Sequence, residues 1–257
     1  MKLAEDQKTE VLMRADFCLA ESNSSRATTF DAYANDYREV VNKTITSSGE
    51  EYEYFVELRV NLMFDRLNRY VPDFNPNPLL DYGCGTGATE ASIKKRFPDG
   101  LIWGIDESIE SIRVAESRGV YGTFYNVVMP DGSIPLADKS VGLIYMNGTV
   151  HHVAPEKRLD VISEVQRVLK PGGYLFVFEN NPYNPLTRRA MSLNPFDKGC
   201  SIVSKKEVEE LGRAAGLRVV ESWYYFFFPN FLKALRPHDD KLRFLPFGGQ
   251  YCVWFQR

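Results

Sequence analysis

Residues 79–87, LLDYGCGTG, constrain this chain more than any other stretch. A short apolar run ends in an acid, three glycines follow at alternate positions, and a helical pattern begins at Ala88. Glycine lets the backbone approach a ligand closely, and the helix start offers unpaired N–H groups to it. The segment therefore predicts a strand, a ligand-cradling turn and a helix, the opening unit of an α/β sheet.

The sequence downstream repeats that alternation. Apolar strand candidates at 79–82, 101–105, 124–128, 141–146 and 174–178 are separated by helical patterns at 88–97, 108–117 and 156–169. Such spacing predicts a parallel sheet with helices on both faces and right-handed crossovers. Short apolar runs without alternation suit strands buried on both sides. Ser204 and Glu207 fit a capping box opening a helix that ends near Gly216, and strand candidates follow at 217–226 and 250–255. Ahead of the glycine turn, 1–20, 31–42 and 51–70 read as helices, with 21–29 a polar linker. Three prolines in 71–78 end the last of them. The organisation expected is an N-terminal helical lid, 1–78, and a main domain, 79–257, with insertions at 180–203 and 227–249.

Composition narrows the function classes. Lys plus Arg total 31 against 34 Asp plus Glu, a net charge of -3, which argues against a general nucleic-acid binder. The densest apolar run, 223–228, is far short of the roughly 20 residues of a membrane span. Glu5, Asp6 and Glu10 interrupt the apolar core a signal peptide would need, so a cytoplasmic location is expected. Cys18, Cys84, Cys200 and Cys252 show no paired spacing of the zinc-binding or redox kind, and no metal is expected.

Two cofactor classes fit the glycines, because Gly83-x-Gly85-x-x-Ala88 also satisfies the dinucleotide fingerprint. Asp81 tips the balance: its carboxylate would repel a pyrophosphate but suits the ammonium of an amino-acid moiety. Asp106, in GIDES, lies 19 residues beyond Gly87, a distance that suits a carboxylate on ribose hydroxyls. With these motifs the chain resembles the class I S-adenosylmethionine-dependent methyltransferases of small-molecule type over about 100 residues, from 79 to 178. LLDYGCGTG resembles the family's first motif and GIDES its second-strand acid motif. SIPLADKSVGLIYMNGTVHHV resembles the stretch through the fourth strand, and RVLKPGGYLFVFE the final motif.

The resemblance implies a Rossmann-like, seven-stranded, mostly parallel sheet with an antiparallel last strand. It implies that S-adenosylmethionine is the cofactor and S-adenosylhomocysteine the product. Gly83, Gly85 and Gly87 would pack on the methionine part, with Asp81 near its amino group, Asp106 on the ribose and Glu107 beside the adenine. Met129 would be an adenine-side contact, with Asp131 an alternative, and the backbone of Asn147 and Gly148 would face the methionine end. Tyr33 and Tyr37, four apart on one helical face, or Arg38 would close over the cofactor. The stretch MPDGS departs from the family's usual pattern there, and Asn-Gly-Thr-Val replaces the Asn-Pro-Pro-Tyr associated with planar-amine acceptors.

For the acceptor, the residues leave several readings open. A hydroxyl needs a base. His151 and His152 stand at the sheet's ligand-binding edge, but adjacent side chains are expected to diverge, so one at most would serve, with His152 the choice. Glu179 is a second proton acceptor. The segments 180–203 and 226–249, with Phe226, Phe227, Phe228, Phe231 and Leu232, are expected to shape the acceptor pocket. Residues 1–180 carry 19 basic and 27 acidic side chains, whereas 181–257 carry 12 and 7. That local surplus favours an anionic small-molecule acceptor by long-range attraction. An aromatic acceptor, a protein or RNA acceptor and a non-catalytic cofactor-binding module are the alternatives.

Overall fold

The computed structural model describes residues 30–128 and 132–257. The expected helix 1–20, the linker, Met129 and Asp131 lie outside them. Seven strands form one sheet in the order β3-β2-β1-β4-β5-β7-β6. They are β1 (Leu79–Tyr82), β2 (Ile102–Asp106), β3 (Thr123–Val127), β4 (Val141–Asn147), β5 (Leu169–Asn180), β6 (Arg218–Tyr225) and β7 (Gln250–Gln256). β1 pairs in parallel with both β2 and β4, β2 with β3, and β4 with β5. β7 runs antiparallel between β5 and β6. The sheet is thus the mostly parallel, seven-stranded one expected from the sequence.

Helices cover both faces. They are α1 (Tyr37–Thr44), α2 (Tyr52–Tyr70), α3 (Glu90–Arg96), α4 (Ile109–Ser117), α5 (Arg158–Val168), α6 (Pro185–Leu193) and α7 (Lys205–Ala214). On one face Ile162, Val165 and Val168 of α5 and Val208 of α7 pack with Leu80, Ile144, Leu175 and Val253. On the other, Val60, Met63, Phe64 and Leu67 of α2 pack with Leu79, Leu143, Phe176 and Trp254. α2 therefore supplies a layer of the core, while α1 and α6 line a cleft at the sheet's edge.

Local chemistry explains most boundaries. The Ser204 hydroxyl accepts the Glu207 N–H as the capping box requires, and Gly216 takes a left-handed φ of +85°. Asn184 caps α6 with Pro185 in its first turn. The expected helix 31–42 divides instead. Asp31–Tyr33 is a 3-10 turn and α1 starts at Tyr37. The Asp31 carboxylate is drawn away to accept from Ser108 Oγ (2.6 Å) and the Glu110 N–H (3.3 Å), at the start of α4.

Phe176 is fully buried and stacks on Trp254 at 5.1 Å between centroids. Phe176→Ala should lower unfolding stability by about 3–5 kcal/mol, measured by chemical denaturation.

Candidate active site

The glycine turn, the end of β2 and the turn after β4 meet at the C-terminal edge of the parallel strands, where ligands bind in open α/β sheets. Gly83 has a φ of +77°, and a Cβ there would lie 2.5 Å from Thr149 Oγ1. That hydroxyl donates to the Tyr82 carbonyl (3.3 Å), so the two turns leave no room for a side chain. Gly85 is different: at φ +53° it has no atom within 4 Å of where a Cβ would stand. Its open side faces space a ligand can fill, and its N–H donates to Asp106 Oδ2 (2.8 Å). Asp106 Oδ1 accepts the Ser108 N–H (2.9 Å). Burial pushes the Asp106 pKa up, and these N–H donors oppose it. Glu107 follows, exposed.

Two acids lie buried beside this turn. Asp81 and Glu90 are 1% and 0% exposed, and Asp81 Oδ2 and both Glu90 carboxylate oxygens lack a hydrogen-bond partner. Burial, and then the charge of Glu90, raises Asp81 well above the usual carboxylate range. Burial pushes Glu90 up to about 7. Two buried carboxylates with orphan oxygens describe a place for a cation.

A cleft of about 200 Å³ opens at the ends of β4 and β5, and Asn147, Gly148, Tyr37, His151 and His152 all line it. Tyr37 opens α1, stacks on Phe196 at 5.0 Å and meets Tyr52 edge-on at 5.8 Å. Tyr33 also reaches Phe196, at 5.1 Å. Burial and then Asp197 push the Tyr37 hydroxyl up to about 12, so it is a donor at neutral pH. Arg38 faces outward and pairs with Glu51 and Glu53. Phe226 and Phe227 join the cleft wall, whereas Phe231 is 82% exposed. Phe226 holds a φ of +59°, a strained conformation for a bulky residue, and its ring sits 4.8 Å from that of Phe55.

His151 and His152 do not diverge. The 3-10 turn Val150–His152 brings their ring centroids within 4.1 Å of each other, and both face Asp197. His151 Nδ1 lies 2.6 Å from Glu179 Oε2, while Glu179 Oε1 accepts the Val150 N–H (2.7 Å). Burial alone would lower the His151 pKa, but Glu179 and Asp197 outweigh it and push it up to about 10. His151 is therefore cationic at neutral pH and cannot take a proton. Burial and the charge on His151 push His152 down to about 4, leaving it neutral and weakly basic. Glu179 is buried under His151, whose charge holds its pKa low against the effect of burial. It positions the ring.

Sequence reasoning missed Arg59. It is 7% exposed, lines the cleft and donates from Nη2 to Gln250 Oε1 (3.2 Å). Its Nε is buried without a partner, and among the described residues no carboxylate pairs with it. Tyr52, Phe55 and Arg59 share one helical face, so a cation interrupting an apolar stripe was the available signal. Glu90 and Asp197 were missed as well. The basic surplus of 181–257 does not reach this cleft as expected. Arg188 and Arg189 are exposed on α6, and Arg236 pairs with Glu50 (2.7 Å). The cleft's arginine comes from the acidic part of the chain.

Residues 80–177 match the family model described as "Methyltransferase domain". Over that stretch the chain carries a methyltransferase domain. Among curated relatives of this domain, a malonyl-[acyl-carrier protein] O-methyltransferase of Dechloromonas aromatica is 26% identical, covering 66% of this chain and 64% of that protein. The chain thus spans under two thirds of that relative's length. A trans-aconitate 2-methyltransferase of Azoarcus sp. is 26% identical over 77% of this chain and 70% of that protein. A solved methyltransferase of Thermotoga maritima, described as a possible histamine N-methyltransferase, shares the fold. Its TM-score is 0.60 at 22% identity, covering 88% of this chain and 97% of that one.

The superfamily's cofactor is S-adenosylmethionine, and this chain's residues fit it. The open side of Gly85 admits a ligand against the backbone, and the orphan oxygens of Asp81 and Glu90 suit an ammonium. Without a cation there, the two acids repel each other. Because the folded Glu90 pKa, about 7, exceeds its ordinary 4.5, the ligand-free protein loses stability as pH rises through that interval. Glu90→Gln should then raise the Tm of ligand-free protein at about pH 8 and leave it unchanged near pH 4. Thermal scans at the two pH values check this, and an equal gain at both would contradict it.

Proposed function

We propose that this chain methylates a carboxylate oxygen of a small organic acid, forming a methyl ester, with S-adenosylmethionine as donor. Arg59 carries the reading: a buried guanidinium without a carboxylate partner, on the wall of the cleft, calls for an anion. Its neighbour Gln250 opens β7, so β4 and β5 separate it from the glycine turn after β1. This position supports assigning it to the acceptor. Both curated relatives described above carry names with acidic acceptors, a malonyl group and trans-aconitate.

When bound, the cofactor supplies a methyl group already activated on a sulfonium. Gly85 would admit its amino-acid part, with Gly83 and Gly87 letting the turn close on Thr149 and Ala115; Asp81 and Glu90 would neutralise the ammonium, and Asp106 would accept from the ribose. The backbone of Asn147 and Gly148 would border the methionine end. The remaining work is alignment and exclusion of water. A carboxylate is ionised at neutral pH and needs no base, which agrees with a cationic His151 and a weakly basic His152. Arg59 would grip one acceptor oxygen in a charge-assisted bond, leaving the other to attack. The protonated Tyr37 hydroxyl is a second donor in the cleft.

The test is methylation of a panel of di- and tricarboxylic acids and neutral phenols, read by product mass. The acids should be turned over and the phenols not. Arg59→Met should raise the acceptor KM roughly ten- to a hundredfold while S-adenosylhomocysteine affinity holds. A fall in that affinity with an unchanged acceptor KM would reassign Arg59 to the cofactor's own carboxylate. Turnover of phenols alone would overturn the acceptor class.

A further inference from the structure

We propose that His151, His152 and Asp197 form a binding site for one divalent transition-metal ion, zinc by the chemistry of its donors, in the wall of the cleft. The three donor atoms lie within 4.8 Å of one another. His151 Nε2 stands 3.4 Å and His152 Nε2 3.6 Å from the same oxygen, Asp197 Oδ1. These separations are long for charge-assisted hydrogen bonds, which close to about 2.7–2.9 Å. They are the separations expected of ligands sharing an ion: donors about 2.1 Å from a tetrahedral zinc lie roughly 3.4 Å apart.

The outer atom of each ligand is already held, which turns its inner atom toward the shared point. His151 Nδ1 is on Glu179 (2.6 Å), His152 Nδ1 is on Cys200 Sγ (3.1 Å), and Asp197 Oδ2 accepts from Asn194 Nδ2 (3.1 Å). With Nδ1 carrying the proton, each imidazole presents its Nε2 lone pair inward. A carboxylate behind a ligating histidine is the outer-shell arrangement that orients metal ligands and strengthens their basicity. Two backbone turns fix the spacing: Val150–His152 after β4, and Pro195–Asp197, whose Phe196 is buried against Phe30 and Tyr37.

Charge and access agree with the assignment. A dication between two neutral imidazoles, with Asp197 as ligand and Glu179 behind, brings the buried cluster to zero net charge. On binding, the ion takes the place of the His151 proton, which leaves to solvent. All three ligands line the cleft, so a fourth position remains for a water or an acceptor oxygen. The site itself stands on geometry alone; that the acceptor carboxylate takes the open position rests on the reading above.

The full chain, stripped with a chelator, is titrated with Co²⁺ and then Zn²⁺, following the visible ligand-field absorption of bound Co²⁺. One equivalent of Co²⁺ should produce the absorption and Zn²⁺ should abolish it. Asp197→Asn and His152→Ala should each weaken binding at least a hundredfold, and Glu179→Gln about ten- to a hundredfold. Cys200→Ala should change it less than threefold. S-adenosylhomocysteine affinity, measured on every variant, reports an intact fold and is independent of the metal. No saturable absorption, or full binding in Asp197→Asn with cofactor affinity intact, would overturn the site. Loss of binding in Cys200→Ala would overturn the three-donor assignment.

Discussion

Between the ends of β4 and β5, His151 Nδ1 and Glu179 Oε2 meet at 2.6 Å in a region almost closed to solvent. Each residue depends on the other. A carboxylate buried this deeply needs a partner, and an imidazole flanked by Glu179 and Asp197 keeps its proton well into alkaline pH. The same glutamate accepts the Val150 N–H and so holds the turn that carries both histidines. Asp197 completes the group from the turn after α6, on which Phe30, Tyr33 and Tyr37 pack. The wall of the cleft, and the seating of the N-terminal segment over it, hang on that pair.

A second electrostatic arrangement lies on the other side of β4. Asp81 and Glu90 are buried together with orphan oxygens, an unfavourable state that a ligand's cation relieves. Arg59 is the converse case, a buried cation awaiting an anion. Two sites of opposite sign, separated by the turn after β4, match a two-substrate reaction whose partners carry an ammonium and a carboxylate. The neutral acceptor readings fit Arg59 less well, because a neutral ligand would leave the guanidinium uncompensated.

Much of this was legible in the chain. Period and glycine placement marked the place of each strand, although β5 (Leu169–Asn180) begins well before its expected 174–178, because side-chain period and turn geometry are local matters. The exception on the helical side, 31–42, failed for a tertiary reason: Asp31 bonds to the start of α4 across the fold. The histidines expected at the sheet's ligand-binding edge do line the cleft, but the divergence expected of adjacent side chains is not found. A 3-10 turn instead swings both rings onto Asp197. The local basic surplus of 181–257 does not supply the cleft's arginine, since most of its own arginines are exposed or paired.

The sequence by itself determined the parallel β-α alternation, the glycine turn and the acid that ends β2. Each depends on residues close together along the chain, where backbone sterics and hydrophobic period act. Only the tertiary structure decided which charged groups face one another. Asp197 lies 46 residues beyond His151, and Gln250 lies 191 beyond Arg59. Their meeting is set by how α2 and the segment around α6 close over one edge of the sheet. Burial there turns ordinary side chains into a cation awaiting an anion, and into donors that converge on one point. No spacing rule along the chain encodes that, because burial is a property of the packed molecule.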